Sequence, residues 1–107
     1  MELPGPIAAY IDAENRHDAE ALALCFAENA TVRDEGRTIQ GLEAIKQWKA
    51  ETTKKYRHTM EPLACKPEGD EIAVTNRLSG NFPGSPIELE FVFTLENEKI
   101  SSLDILS

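Results

Sequence analysis

At 107 residues the chain has room for one hydrophobic core, so a single domain spanning residues 1–107 is expected. Hydrophobic residues make up 41% and charged residues 28%, a balance that excludes a disordered chain. Lys and Arg number 11 against 19 Asp and Glu; the net charge of −8 argues against nucleic acid or an anionic membrane surface as partner.

Pro4-Gly5-Pro6 is a loop able to start a helix, with Pro6 in the first turn. Ile7, Tyr10 and Ile11 then fall at helical spacing, and the helix is expected to run to about Arg16. Asp18 suits the N-cap of a second helix that carries Leu22, Cys25 and Phe26 on one face. Ala30 to Asp34 reads as a short strand, Glu35-Gly36 as a turn, and Arg37 to Gln40 as the returning strand. Gly41 precedes a third helix from Leu42 to about Lys54, with an inward stripe of Leu42, Ile45, and Trp48 or Lys49.

From there the hydrophobic period changes to 2. Tyr56, His58 and Met60 share one face of a strand that Pro62 limits or bends before it resumes toward Lys66. A turn is expected at Pro67 to Asp70, then a strand whose inner residues are Ile72, Val74, Asn76 and Leu78. Gly80 to Pro86 is a long connection carrying Phe82, expected to be exposed. Ile87, Leu89, Phe91, Phe93 and Leu95 alternate along the next strand; Glu96-Asn97-Glu98 turns the chain into a last strand, Ile100 to about Ile105. If Asn76 and Leu78 share the inner face with Ile87 and Leu89, then Arg77 lies outside, opposite Glu88 or Glu90. The sum is an α+β domain with helices on one sheet face.

Cys25 and Cys65 lie in different predicted elements without CxxC spacing, and read as buried free thiols in a reducing compartment. The opening Met1 to Pro6 lacks the basic and apolar stretches of a signal peptide, and the run from Ala21 to Ala27 is far short of the ~18 residues of a membrane span. A cytoplasmic location and no membrane association follow as expectations. Two lone histidines without HxH, HxxxH or HExxH spacing predict no metal site, and no phosphate loop or nucleophile elbow is present to suggest a cofactor. Lys54, Lys55 and Arg57 read as a solvated helix end, and His17 as surface.

Tyr10-Ile11, Asp18 to Leu22, and Phe26 to Asp34 together resemble the nuclear transport factor 2-like superfamily, and within it the SnoaL-like group. Gly41-Leu42-Glu43-Ala44-Ile45 fits that superfamily's entry to its third helix. The resemblance implies a cone-shaped half-barrel of cystatin-like type: three N-terminal helices on a curved, mostly antiparallel sheet, with a pocket inside and a homodimer through the outer sheet face. Its chemistry ranges over isomerases, cyclases, hydrolases and plain binding modules, so fold does not name function. By likeness to ketosteroid isomerase, Tyr10 falls at the oxyanion donor and Asp34 at the base. The third catalytic position of that enzyme, a protonated Asp, falls at Phe91, which argues against steroid isomerase activity, since losing one oxyanion donor costs roughly 10²–10³ in rate.

Each candidate carries a plain reading beside the chemical one. Asp34 is either a strand-end turn residue or a pocket carboxylate whose proton affinity apolar walls raise. Tyr10 is either a core tyrosine or a donor to the ligand; Trp48 either core or pocket floor; His58 either a satisfied core residue or an acid–base partner of Asp34. Asn76, polar on an apolar inner strand, needs partners and is expected to meet the ligand or Asp34, Tyr10 or His58. The site expected is therefore catalytic Asp34, Tyr10 and His58 with Trp48, Tyr56, Asn76 and Phe91 against a small apolar or polyketide-like molecule. The alternative is a pocket that binds or merely packs. Most of the acids fall on predicted outer faces and turns (Glu88, Glu90, Glu96, Glu98), leaving Asp34 as the one candidate for a working carboxylate. The chain ends at Ser107 soon after the last strand with no further helix, so the pocket mouth is expected to be open or closed by a partner subunit.

Overall fold

The computed structural model describes residues 2–106; Met1 of the opening segment and Ser107 at the chain's end lie outside the described residues. The first helix, α1 (Gly5–Asn15), buries Ile7, Tyr10, Ile11 and Glu14, the i, i+3, i+4, i+7 face of a helix. Asn15 docks its end on the sheet: Nδ2 donates to the Met60 carbonyl at 2.9 Å and Oδ1 accepts from the Met60 amide at 2.6 Å. The second helix, α2 (Ala19–Ala23), is capped by Asp18, whose carboxylate accepts from the Ala21 amide. It is shorter than its apolar stripe predicts. Cys25 and Phe26 leave it because the chain already turns into the sheet there, with the Ile100 amide donating to the Cys25 carbonyl at 2.8 Å.

Phe26 therefore opens β1 (Phe26–Asp34), which pairs with β2 (Arg37–Gln40). Glu35 and Gly36 between them both have positive φ, the two-residue turn whose twist matches a hairpin. Helix α3 (Leu42–Tyr56) buries Ile45, Trp48 and Lys49 and ends at Arg57 in the left-handed region. Tyr56 thus closes a helix rather than starting a strand, because Ile45, Trp48, Lys49, Thr52 and Tyr56 continue the helical stripe. The remaining strands are β3 (Thr59–Glu68), β4 (Glu71–Ser79), β5 (Ile87–Glu96) and β6 (Lys99–Leu106). Pro62 does not end β3; the register shifts between Pro62 and Ala64, where a bulge absorbs the missing N–H, and the turn shrinks to Gly69-Asp70.

The six strands form one sheet in the order β2-β1-β6-β5-β4-β3, antiparallel throughout except for the β1–β6 pair. Leu78 opposes Ile87 and Arg77 opposes Glu88, as the inner-face pattern predicts, although the ion contact of Arg77 goes to Glu61 on β3 at 3.7 Å. The helices cover the inner face, and Tyr10, Val32, Ile45, Phe93 and Leu103 are wholly or almost wholly buried between the layers. Phe82 is half-buried rather than exposed, with its ring edge-on to Tyr56 at 5.8 Å. His17 is half-buried too; of the two free cysteines Cys25 is buried and Cys65 only partly so. Among the described residues, no helix is long and apolar enough to cross a membrane.

Candidate functional site

Between the helices and the concave sheet face lies a cavity of about 350 Å³. Its sheet side is apolar, formed by Met60, Leu78, Ile87, Leu89, Phe91 and Ile105. Its helix side is polar, with Tyr10 and Glu14 from α1, Trp48, Lys49 and Tyr56 from α3, and Asp34 from the end of β1. Exposed Glu35, Pro83 and Ile87 line it as well, so the cavity reaches solvent beside the β1–β2 turn and the 80–86 loop.

Six of the seven residues expected at the site meet here: Tyr10, Asp34, Trp48, Tyr56, His58 and Phe91. Asp34 satisfies both of its readings, since the residue that leads into the hairpin turn also faces the cavity. Burial pushes its carboxyl above the usual carboxylate range; the Trp48 indole N–H, donating to Oδ2 at 3.2 Å, pulls the other way, and the Glu35 charge adds to the rise. Tyr10 is fully buried, edge-on to Phe26 and Phe93, and its hydroxyl has no close hydrogen-bond partner among the described residues, although the Glu14 carboxylate is near enough to act on it. Burial, then the charge of Glu14, raises its proton affinity well above that of a free tyrosine, so it stays a donor.

Asn76 is the exception. It is fully buried opposite Leu89 but does not line the cavity, and neither amide atom finds a partner among the described residues. The alternation that placed it on the inner face is right, but its neighbours Leu78 and Leu89 line the cavity and Asn76 does not.

Glu14 and Lys49 complete the site and correct the view that Asp34 is its one working acid. Glu14 Oε1 accepts from Lys49 Nζ at 2.6 Å and lies 2.9 Å from His58 Nε2, and all three side chains are at most 4% exposed. Burial alone would raise the Glu14 carboxyl; the His58 hydrogen bond and the Lys49 charge overcome it and hold the group below its ordinary value. The signal was present in the sequence. Glu14 continues the Ile7-Tyr10-Ile11 stripe and Lys49 that of Leu42-Ile45, so two opposite charges fall on inward faces and become each other's partner. Among the described residues no group of His, Cys, Asp and Glu is arranged to hold a metal ion.

Residues 7–103 match the family model of the SnoaL-like domain. Among solved structures, a candidate polyketide cyclase from Sinorhizobium meliloti is 39% identical with a TM-score of 0.92, covering 96% of this chain and 94% of that one. SalBIII, an epoxide hydrolase/cyclase-like enzyme of pyran ring formation in salinomycin, is 25% identical with a TM-score of 0.81 over 94% of this chain and 86% of its own. A Catenulispora acidiphila protein of ketosteroid isomerase-like fold, solved with trimethylamine, is 23% identical with a TM-score of 0.87 over 99% and 87%. No functionally curated protein matches the sequence.

Proposed function

Because the chain belongs to the SnoaL-like domain family, we propose that its cavity performs cofactor-free proton transfer, of isomerase or cyclase type, on a small and largely apolar carbonyl compound. One observation carries this reading: Tyr10, whose buried hydroxyl has no hydrogen-bond partner among the described residues, lines the same cavity as the half-buried Asp34 carboxylate. Buried hydroxyls are almost always paired, and a ligand oxygen would supply the missing acceptor.

In the reaction, Asp34 takes a proton from the carbon beside the ligand carbonyl. The C–H electron pair moves into an enolate, and the Tyr10 O–H donates to the oxygen that gains charge. Isomerisation returns the proton to a different carbon; in cyclisation the enolate carbon attacks a second carbonyl carbon of the ligand, whose C=O π pair becomes an alkoxide that takes the proton back from Asp34. The Trp48 N–H holds Oδ2 of Asp34 and so aims the carboxylate. Phe91, with Leu89 and Ile105, supports the apolar end of the ligand. That Phe91 is apolar also favours a second reading, a module that binds the ligand without converting it, because the oxyanion has one donor where two would serve better.

Deuterium wash-in at the acidic C1 position of 2-tetralone, followed by proton NMR in heavy water, separates the two. The wild-type protein is expected to accelerate exchange. Asp34→Asn should lower the enzymic rate by about 10²–10⁴ and Tyr10→Phe by about 10²–10³. Saturable binding with wild-type exchange no faster than in Asp34→Asn or buffer would leave only the binding module.

A further inference from the structure

Glu14 is an unfavourable residue for its position. It sits in the last turn of α1, where the helix dipole opposes a negative charge, and it is 2% exposed, where desolvation opposes it again. Lys49 alone would serve the helix: its Nζ donates to the Glu14 carbonyl at 3.2 Å and brings a positive charge to the C-terminal end. The carboxylate therefore has another task, and its other partner is His58.

The shared oxygen decides the tautomer of that imidazole. Lys49 only donates, and Glu14 is held ionised, so Oε1 accepts from both neighbours. Nε2 of His58 then bears a hydrogen, and a ring with a single N–H has its lone pair on Nδ1. The residue is also closely surrounded. Gly80 passes so close that a Cβ there would lie 2.9 Å from His58 Cα and Cβ, and His17 packs edge-on with ring centres 6.5 Å apart. The ionisable groups facing His58 are thus Glu14 of α1, Lys49 of α3 and His17 of the α1–α2 connection.

We propose that His58, oriented by Glu14, is the cavity's acceptor for a ligand hydroxyl, so that the ligand class is a hydroxyketone whose carbonyl takes the Tyr10 O–H and whose hydroxyl donates to His58 Nδ1. The assignment rests on the cavity being a ligand site, as above, and names what fills it. A hydrocarbon would leave the Tyr10 O–H without an acceptor and cover His58 Nδ1 without offering it a donor, and a simple ketone would satisfy Tyr10 alone. Glu14 is a positioning residue, acting only through the ring it fixes.

Imidazole nitrogen NMR on the wild-type protein tests the tautomer, with the His58 proton expected on Nε2. Trp48, the chain's single tryptophan, lines the cavity, and its fluorescence reports binding. The probes are acetophenone, its 2-, 3- and 4-hydroxy derivatives, and the methyl ethers of those three. One hydroxy isomer is expected to bind about tenfold tighter than both acetophenone and its own ether, and to shift the Nδ1 resonance, which acetophenone leaves in place. The preference should disappear in His58→Phe and in Glu14→Gln, whose amide N–H can donate to Nε2 and move the ring proton to Nδ1. A wild-type proton on Nδ1, or equal affinity for hydroxy and non-hydroxy probes, overturns the assignment while leaving the ligand site intact. So does a preference that survives His58→Phe and vanishes in Asp34→Asn, which would seat the hydroxyl on Asp34. Failure of every probe to bind overturns the ligand site and this assignment with it. If either His58→Phe or Glu14→Gln does not fold, the wild-type tautomer and the Nδ1 shift decide.

Discussion

A carboxylate as buried as that of Glu14 persists because two donors share one of its oxygens, and removing it exposes what they cost. Glu14→Ala would leave the Lys49 ammonium 1% exposed and unpaired; a loss of about 3–5 kcal/mol is expected in chemical denaturation. The same residue sets an acid limit. Its folded pKa lies below the unfolded value, so its stabilisation is complete above the unfolded carboxylate range, near pH 4–5, and fades as pH falls through the lower folded value. Stability curves from pH 7 to pH 2 should show that acid slope, and it should be shallower in Glu14→Gln. Asp34 has the opposite sign. Its raised pKa means that folding opposes its charge, so ionisation above the folded pKa costs stability. Asp34→Asn, which keeps an oxygen for the Trp48 N–H, should therefore match or slightly exceed the wild-type melting temperature while losing exchange activity. On the proposed reading, that cost is offset by what the carboxylate does in the cavity.

Between elements, the junction from α3 to β3 depends on the absence of one side chain. The Gly80 amide donates to Ser85 Oγ at 2.9 Å, and the Asn81 amide to the Tyr56 carbonyl at 3.0 Å, so the 80–86 loop is latched onto the end of the helix. A methyl at residue 80 would meet the Tyr56 carbonyl and the His58 backbone at 2.9 Å, with no flexible atom to yield. Gly80→Ala should cost about 1–3 kcal/mol in thermal or urea unfolding, whereas Gly5→Ala, with nothing near its Cβ, should cost nothing. This junction also shows how far the sequence is legible. Tyr56-His58-Met60 fits a strand's alternation and α3's stripe equally well at Tyr56, so the residue's face was predicted correctly and its element was not. The latch depends on residues more than 20 positions apart, and no local period contains it. The shortening of α2 has the same origin, because the pull of β6 on Cys25 is long-range.

For the whole molecule, the order of elements and inner-face alternation were readable because each follows a local period, and they put Tyr10, Asp34, Trp48, His58 and Phe91 around one cavity. The Glu14–Lys49–His58 cluster is legible only in part: the helical stripes turn Glu14 and Lys49 inward, but no local period brings the two helices and His58 together. The outer sheet face is polar at Thr75, Arg77, Glu88 and Glu90, with Ala73 opposite Val92 as an apolar strip within it. A homodimer through that face is expected: light scattering should give twice the chain's mass, and Val92→Lys should halve it. A wild-type species of single-chain mass would end that expectation. The place of β6 has a different consequence. It is the last strand in chain order, yet it lies third in the sheet, joining β1 to β5. Until it docks, β1–β2 is a lone hairpin, marginal by itself, and β3–β5 is a separate meander with an open edge. Assembly must then wait on a pairing between distant parts of the chain, the slow kind of step in folding. The cavity takes Asp34 from one side of that seam and Phe91 from the other, so a partly folded chain has no pocket to occupy, and a ligand can stabilise only molecules in which the seam has closed.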